Sequence, residues 1–132
     1  MWYDAACHPY LEREFLVTRP VVHFEIYGKD SERLKAFYTQ LFGWQIDSNN
    51  PMNYGLIAPG VGGPEQGVGG GIAQGDGPLV MVYVQVVDPN ETLRKAEELG
   101  GKAVMQPMDV PGGPTIAQLE DPEGNRVGLV KQ

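Results

Sequence analysis

One short stretch concentrates side chains able to hold or move a proton. In VVHFEIY (21–27), His23, Glu25 and Tyr27 occupy alternate positions, with Val22, Phe24 and Ile26 between them. Alternate residues of an extended chain share a face, so these three line up opposite a wholly apolar side. Imidazole titrates near neutrality and serves as acid or base there. A carboxylate lining a partly dry cleft is a candidate general base. Each has a plainer reading: His23 as a satisfied structural histidine, and Glu25 as an acid bridged to a tyrosine or an arginine such as Arg126.

A second alternating run, VMVYVQV (80–86), puts Met81, Tyr83 and Gln85 on one face and Val82, Val84 and Val86 on the other. Methionine there suits an adaptable apolar pocket. Tyr27, Tyr54 and Tyr83 form a candidate aromatic wall with hydroxyls for hydrogen bonding, although tyrosines also simply close sheets. Gln118 and Glu120 alternate with Ala117 and Leu119, and Arg126 opens the last apolar run, so all three are candidates for the same cleft or its rim. Trp44 reads as a stacking platform or, more simply, as core.

Two copies of one unit position these residues. After the first strand, Asp30 or Ser31 caps a helix whose stripe is Leu34, Phe37, Tyr38, Leu41 and Phe42, and Gly43 ends it. Strands follow over 44–47, 54–58 and 68–74. The second copy repeats the order: a strand from Leu79, a helix start at Asp88, Pro89 and Asn90, a stripe of Leu93, Ala96 and Leu99, and a Gly100-Gly101 stop. Strands then run over 102–108, 116–120 and 126–130, the last two joined by the turn DPEGN (121–125). The expected fold is α+β, βαβββ written twice, with modules at about 20–74 and 79–132 in one domain. If the mixed faces curve toward each other they enclose a cleft. Residues 1–19 stand outside the repeat as an arm, and the glycines at 60–67 read as a loop over the cleft.

Composition narrows the function classes. The 132-residue chain carries a net charge of −7 with ten scattered Lys and Arg, so no basic stripe invites nucleic acid. No apolar run is long enough to span a bilayer, and the first residues lack the pattern of a signal peptide. The single cysteine, Cys7, excludes an internal disulfide framework and suits the cytosol. Cys7-His8 sits in the arm and is a poor dyad. The glycines at 60–71 match neither a dinucleotide nor a phosphate-binding loop.

The chain resembles the vicinal oxygen chelate superfamily, which includes glyoxalase I, bleomycin-resistance proteins and extradiol dioxygenases. The residues that carry the likeness are His23 with Asp30, Phe37-Tyr38, Leu41-Phe42-Gly43-Trp44, Ala96 to Gly101, and Asp121 to Asn125. The resemblance implies paired βαβββ modules around a cleft, usually in a homodimer. It also implies, for metal-dependent members, a divalent cation on four side chains from the first and last strands of each module. His23 fits the first position. Met81 falls on the second, Gly128 on the third, and the fourth lies among Gly69 to Gly71. A thioether and glycines are poor ligands for such cations, so the expected site has no metal and no cofactor.

The expected function is metal-free binding of a small organic molecule, with His23, Glu25, Tyr27, Tyr54, Met81, Tyr83, Gln85, Gln118, Glu120 and Arg126 as contacts. An enzyme using His23 and Glu25 for acid–base chemistry, or a rebuilt metal site, is the alternative. A module whose cleft is filled by its own side chains is the third.

Overall fold

A computed structural model describes residues 18–60 and 66–132. Most of the expected arm at 1–19, with Cys7-His8, and most of the expected loop at 60–67 lie outside the described residues. The first module runs β1 (Val21–Gly28), α1 (Ser31–Phe42), β2 (Ile46–Asp47), β3 (Gly55–Ile57) and β4 (Gly70–Gln74). The second runs β5 (Leu79–Val86), α2 (Pro89–Glu98), β6 (Lys102–Asp109), β7 (Thr115–Glu120) and β8 (Arg126–Lys131). This is βαβββ twice, as the repeat predicts, in an α+β fold.

All eight strands form one sheet in the order β2-β3-β4-β1-β5-β8-β7-β6. In each module the first strand lies parallel to the last, Glu25 beside Gly71 and Tyr83 beside Gly128. The modules join within the chain where β1 and β5 pair antiparallel, with His23 opposite Tyr83 and Glu25 opposite Met81. Residues in register share a face. The seam therefore sets the mixed faces of both modules side by side.

The two helices among the described residues start alike. The Asp30 side chain accepts from the Arg33 N–H and the Asp88 side chain from the Glu91 N–H, each occupying a backbone donor that the first turn leaves unpaired. Gly43 ends α1 in the left-handed region at φ 72°, which glycine enters without steric cost. On the far side of the sheet are two apolar clusters. Ile26, Ile57 and Ile72 pack with Phe24, Leu34, Tyr38, Trp44 and Ile46. Val86, Leu93, Ala117 and Leu129 pack with Val84, Ala103 and Leu119. Trp44 stacks on Tyr38 with ring centroids 4.9 Å apart, so it belongs to the first cluster and not to the cleft.

The helix stripes differ from expectation. In α1 the side toward the sheet is Ser31, Leu34, Lys35 and Tyr38, while Phe37, Leu41 and Phe42 stay more than half exposed. The cause is polar. Lys35 is buried, its ammonium donating to Glu32 and to the Asn53 carbonyl, both at 2.8 Å. The Ser31 N–H donates to the Gln74 side chain at 3.0 Å. These contacts tie α1 to the β2–β3 turn and to the end of β4, rotating the apolar stripe off the sheet. In α2, Leu99 follows the last helical residue and is 70% exposed, so Leu93 and Ala96 carry that face. Val80 and Val82, on the apolar side of β5, are also exposed. The strand expected from Trp44 is shorter and begins at Ile46.

Leu93 is the helix anchor of the second cluster. Leu93→Ala is expected to lower unfolding free energy by about 2–5 kcal/mol, read as a drop in the urea midpoint at constant slope.

Candidate functional site

The cleft face of β1 carries a buried acid. Glu25 is 7% exposed, and the hydroxyls of Tyr27, Tyr54 and Tyr83 all donate to its carboxylate. Tyr54 reaches Oε2 at 2.6 Å, while Tyr83 reaches Oε1 at 2.9 Å and Tyr27 shares that same oxygen. Removing a carboxylate from water costs several kcal/mol even after relaxation. A hydrogen bond to a charged group returns about 1.5–3 kcal/mol, so three donors are of the size needed to offset that cost.

Each donor comes from a different part of the fold. Tyr27 lies two residues along β1 on the same face. Tyr83 enters from β5 across the seam, opposite His23 and two residue pairs from Glu25 in register. Tyr54 comes from the turn before β3, and Asn50 fixes its backbone at both ends. The Tyr54 N–H donates to Asn50 Oδ1 at 2.9 Å, and Asn50 Nδ2 donates to the Tyr54 carbonyl at 2.8 Å. His23 completes the group, with Nε2 2.8 Å from the Tyr54 hydroxyl. Its ring lies near-parallel to Tyr54 and edge-on to Tyr83.

Two glycines make room for the rings. A Cβ on Gly71 would stand 1.7 Å from the Tyr54 hydroxyl, and one on Gly128 would stand 2.5 Å from the Tyr83 ring. Glycine inside a strand commonly marks such a close approach. Gly71 and Asn50 were not among the expected site residues. The GGG run at 69–71 and the NNPMN turn were the available signals.

Burial and the neighbouring charge perturb the titration of the group. Burial, then Glu25, raises the phenols of Tyr27 and Tyr54 well above the ordinary tyrosine range. The same two causes push Tyr83 up to about 12, with a contact from Gln118 working the other way. Burial lowers the His23 pKa from 6.5, only partly opposed by the charge on Glu25.

Beyond Tyr27 the cleft opens into a volume of about 590 Å³. Its walls include Tyr27, Leu79, Gln118, Glu120 and Arg126, with Gly75 to Pro78 at one edge. Arg126 lies 3.7 Å from Glu120, so the bridge considered between Arg126 and Glu25 is replaced by tyrosines on one side and Glu120 on the other. Met81 is buried on the cleft face opposite Glu25. Gln85 is half-buried farther along β5, beside Val130, away from both the tyrosine group and the open volume.

The donor set does not fit a divalent cation of the kind the resemblance implies. Of the four implied positions only His23 offers a ligand, and Glu25 beside it is already engaged by three hydroxyls. A longer residue at Gly71 or Gly128 would run into a tyrosine ring. Among the described residues no cluster of three or more His, Cys, Asp or Glu could hold a metal.

Two outcomes are expected. Gly128→Ala forces the Tyr83 ring to move and lowers stability by about 1–3 kcal/mol, read from urea unfolding. The tyrosines also set an alkaline limit. Their folded pKa values lie above the unfolded value of 10.0, so the stabilisation is present below pH 10 and is lost as pH rises through the folded values. Ultraviolet titration should show Tyr27, Tyr54 and Tyr83 ionising late, together with loss of tertiary structure. Independent ionisation of Tyr83 near pH 10 would contradict the network.

Comparison with known proteins agrees with this architecture. Residues 21–129 match the model of the Glyoxalase/Bleomycin resistance protein/Dioxygenase superfamily. The chain is 30% identical over 114 residues to CFP32 of Mycobacterium bovis and of Mycobacterium tuberculosis, a protein named as a candidate glyoxylase. The match takes in 76% of this chain but only 41% of those relatives' length. Among solved structures, a glyoxalase/bleomycin resistance protein/dioxygenase superfamily member from Vibrio splendidus superposes with a TM-score of 0.59 at 15% identity, covering 87% of this chain and 100% of that one. Methylmalonyl-CoA epimerase from Mycobacterium tuberculosis gives 0.61 at 16% identity, covering 91% and 94%. The Streptomyces coelicolor epimerase gives 0.64 at 13%, covering 88% and 96%. At these identities the solved structures establish the fold, and the family match establishes the lineage: this chain belongs to the glyoxalase/bleomycin resistance protein/dioxygenase superfamily.

Proposed function

We propose that this protein binds a small organic molecule in the cleft without a metal. The observation that carries this reading is the engagement of Glu25. Its carboxylate accepts from three tyrosines of its own chain, so it is not poised to take a proton from a substrate, and the three hydroxyls are turned away from any developing oxyanion. What the cleft offers a ligand is the open volume beside Tyr27, an aromatic and apolar surface from Tyr27 and Leu79, and polar groups on Gln118, Glu120 and Arg126. A cleft of this size and mixed lining suits a small ligand.

The reading extends to the setting. We infer a homodimer in the cytosol. Family habit and the exposed Phe37, Leu41 and Phe42 on α1 support the pairing. The single cysteine supports the compartment. Among the described residues no helix is long and apolar enough to cross a membrane.

The test is a thermal-shift screen of small aromatic and amphipathic compounds. At least one compound should raise the melting temperature by ligand linkage, and Arg126→Ala and Gln118→Ala should each weaken the response while leaving the unliganded melt close to wild type. A screen in which no compound shifts the melt would overturn the binding reading. Turnover that Glu25→Gln abolishes in a folded protein would replace it with the enzyme reading.

A further inference from the structure

The turn that joins the modules carries a reactive pair. Asp76 is the one aspartate of the chain that precedes a glycine. It stands exposed at a bend. Among the described residues its carboxylate accepts no hydrogen bond, and the Gly77 N–H donates to no carbonyl. A Cβ at Gly77 would meet nothing within 4 Å, so the amide nitrogen is open to approach. The other described aspartates are all held. Asp30, Asp47 and Asp88 accept from backbone N–H groups, Asp109 from Thr115, and Asp121 from Glu123 and Asn125. The residues after them offer little: Pro89 and Pro122 have no N–H, the Ser31 N–H is taken by Gln74, and the Val110 N–H by the Pro114 carbonyl.

We propose that Asp76-Gly77 is the site at which this protein isomerises to isoaspartate, and that the change reshapes the rim of the cleft. The step balances within the chain and water. The Gly77 nitrogen forms a bond to Asp76 Cγ, the carboxyl C–O bond breaks, and the hydroxyl leaves with the amide proton as water. Water then adds to the succinimide ring. Breaking the new C–N bond restores aspartate. Breaking the original peptide C–N bond instead leaves the main chain running through Cβ and Cγ, with the α-carboxylate as the side group. The net change is an isomerisation, with no oxidant or co-reactant. Asparagines close the same ring with loss of ammonia, but none precedes glycine, and the N–H groups after Asn49 and Asn53 are bonded to Ser48 and Asn50.

The position gives the change its effect. Isoaspartate lengthens the main chain by one methylene, and this turn is fastened at both ends. The Gly75 N–H donates to the Gly28 carbonyl at 2.9 Å, and Leu79 pairs with Tyr27 across the seam. Only residues 76 to 78 lie between the two anchors, so the added atom cannot be taken up by sliding along β1. Gly75 to Pro78 edge the open volume beside Tyr27, and it is this edge that must move. The inference stands apart from the ligand reading and holds whether or not the cavity takes a small molecule.

The test ages the full-length folded protein in neutral buffer and maps it with a protease that cuts before aspartate and not before isoaspartate. The cut before residue 76 should be lost progressively while those before residues 47 and 109 persist. An isoaspartyl carboxyl methyltransferase with a labelled methyl-sulfonium donor should label the peptide that holds residue 76. Gly77→Ala should slow the loss, since its methyl group obstructs the nitrogen, and Asp76→Glu should abolish it, since the ring would be one atom larger. Both substitutions fall where no contact is made, so the fold is kept. No isoaspartate at residue 76 in the aged native protein, or most of it at another position, overturns the site. The amide resonances of Tyr27, Gly28 and Leu79 should move in aged wild type and stay in place in aged Asp76→Glu. Unmoved resonances in isomerised protein overturn the reshaping of the rim and leave the modification site standing.

Discussion

A carboxylate removed from water needs donors on its lone pairs, and the arrangement of this cleft follows from where those donors come from. Among the described residues no Lys or Arg reaches Glu25; three phenols do. Phenols bring rings with them, and the rings need space. That space is taken from the sheet, at Gly71 under Tyr54 and at Gly128 under Tyr83. One buried charge thus accounts for two strand glycines, a turn fastened by Asn50, and the orientation of His23.

The same constraint explains why the implied cation positions hold no ligand set. A divalent ion and three phenols are alternative partners for one carboxylate, and they demand opposite neighbours. The ion calls for more anionic or imidazole donors on the adjoining strands. The phenols call for residues small enough to pass over. Glycine at the end of both modules serves the second need and forecloses the first.

Much of the fold was readable before any coordinates. Alternation of His23, Glu25 and Tyr27, the Asp caps at 30 and 88, and Gly43 are local signals, and local chemistry decides them. The α1 stripe was misread because a lysine ammonium with two close acceptors can be buried, and hydrophobic periodicity cannot see a carbonyl supplied by residue 53. The site was legible as a list and not as a network. His23, Glu25, Tyr27, Tyr54 and Tyr83 were all named, yet their convergence depends on the β1–β5 register and on the reach of a turn residue. The residue types left a tyrosine or Arg126 open as the partner of Glu25, and geometry gave it to the tyrosines.

The seam between β1 and β5 has a consequence for descent. A chain written twice begins with interchangeable halves, each able in principle to pair with another copy of itself. Here the first half owns the acid, His23 and two of the phenols, while the second owns Tyr83 and the glycine that seats it. Two first halves would bring together two acids without Tyr83, and two second halves would have no acid at all. The halves have become different parts of one device, and the symmetry that remains visible in the backbone has been lost from the chemistry.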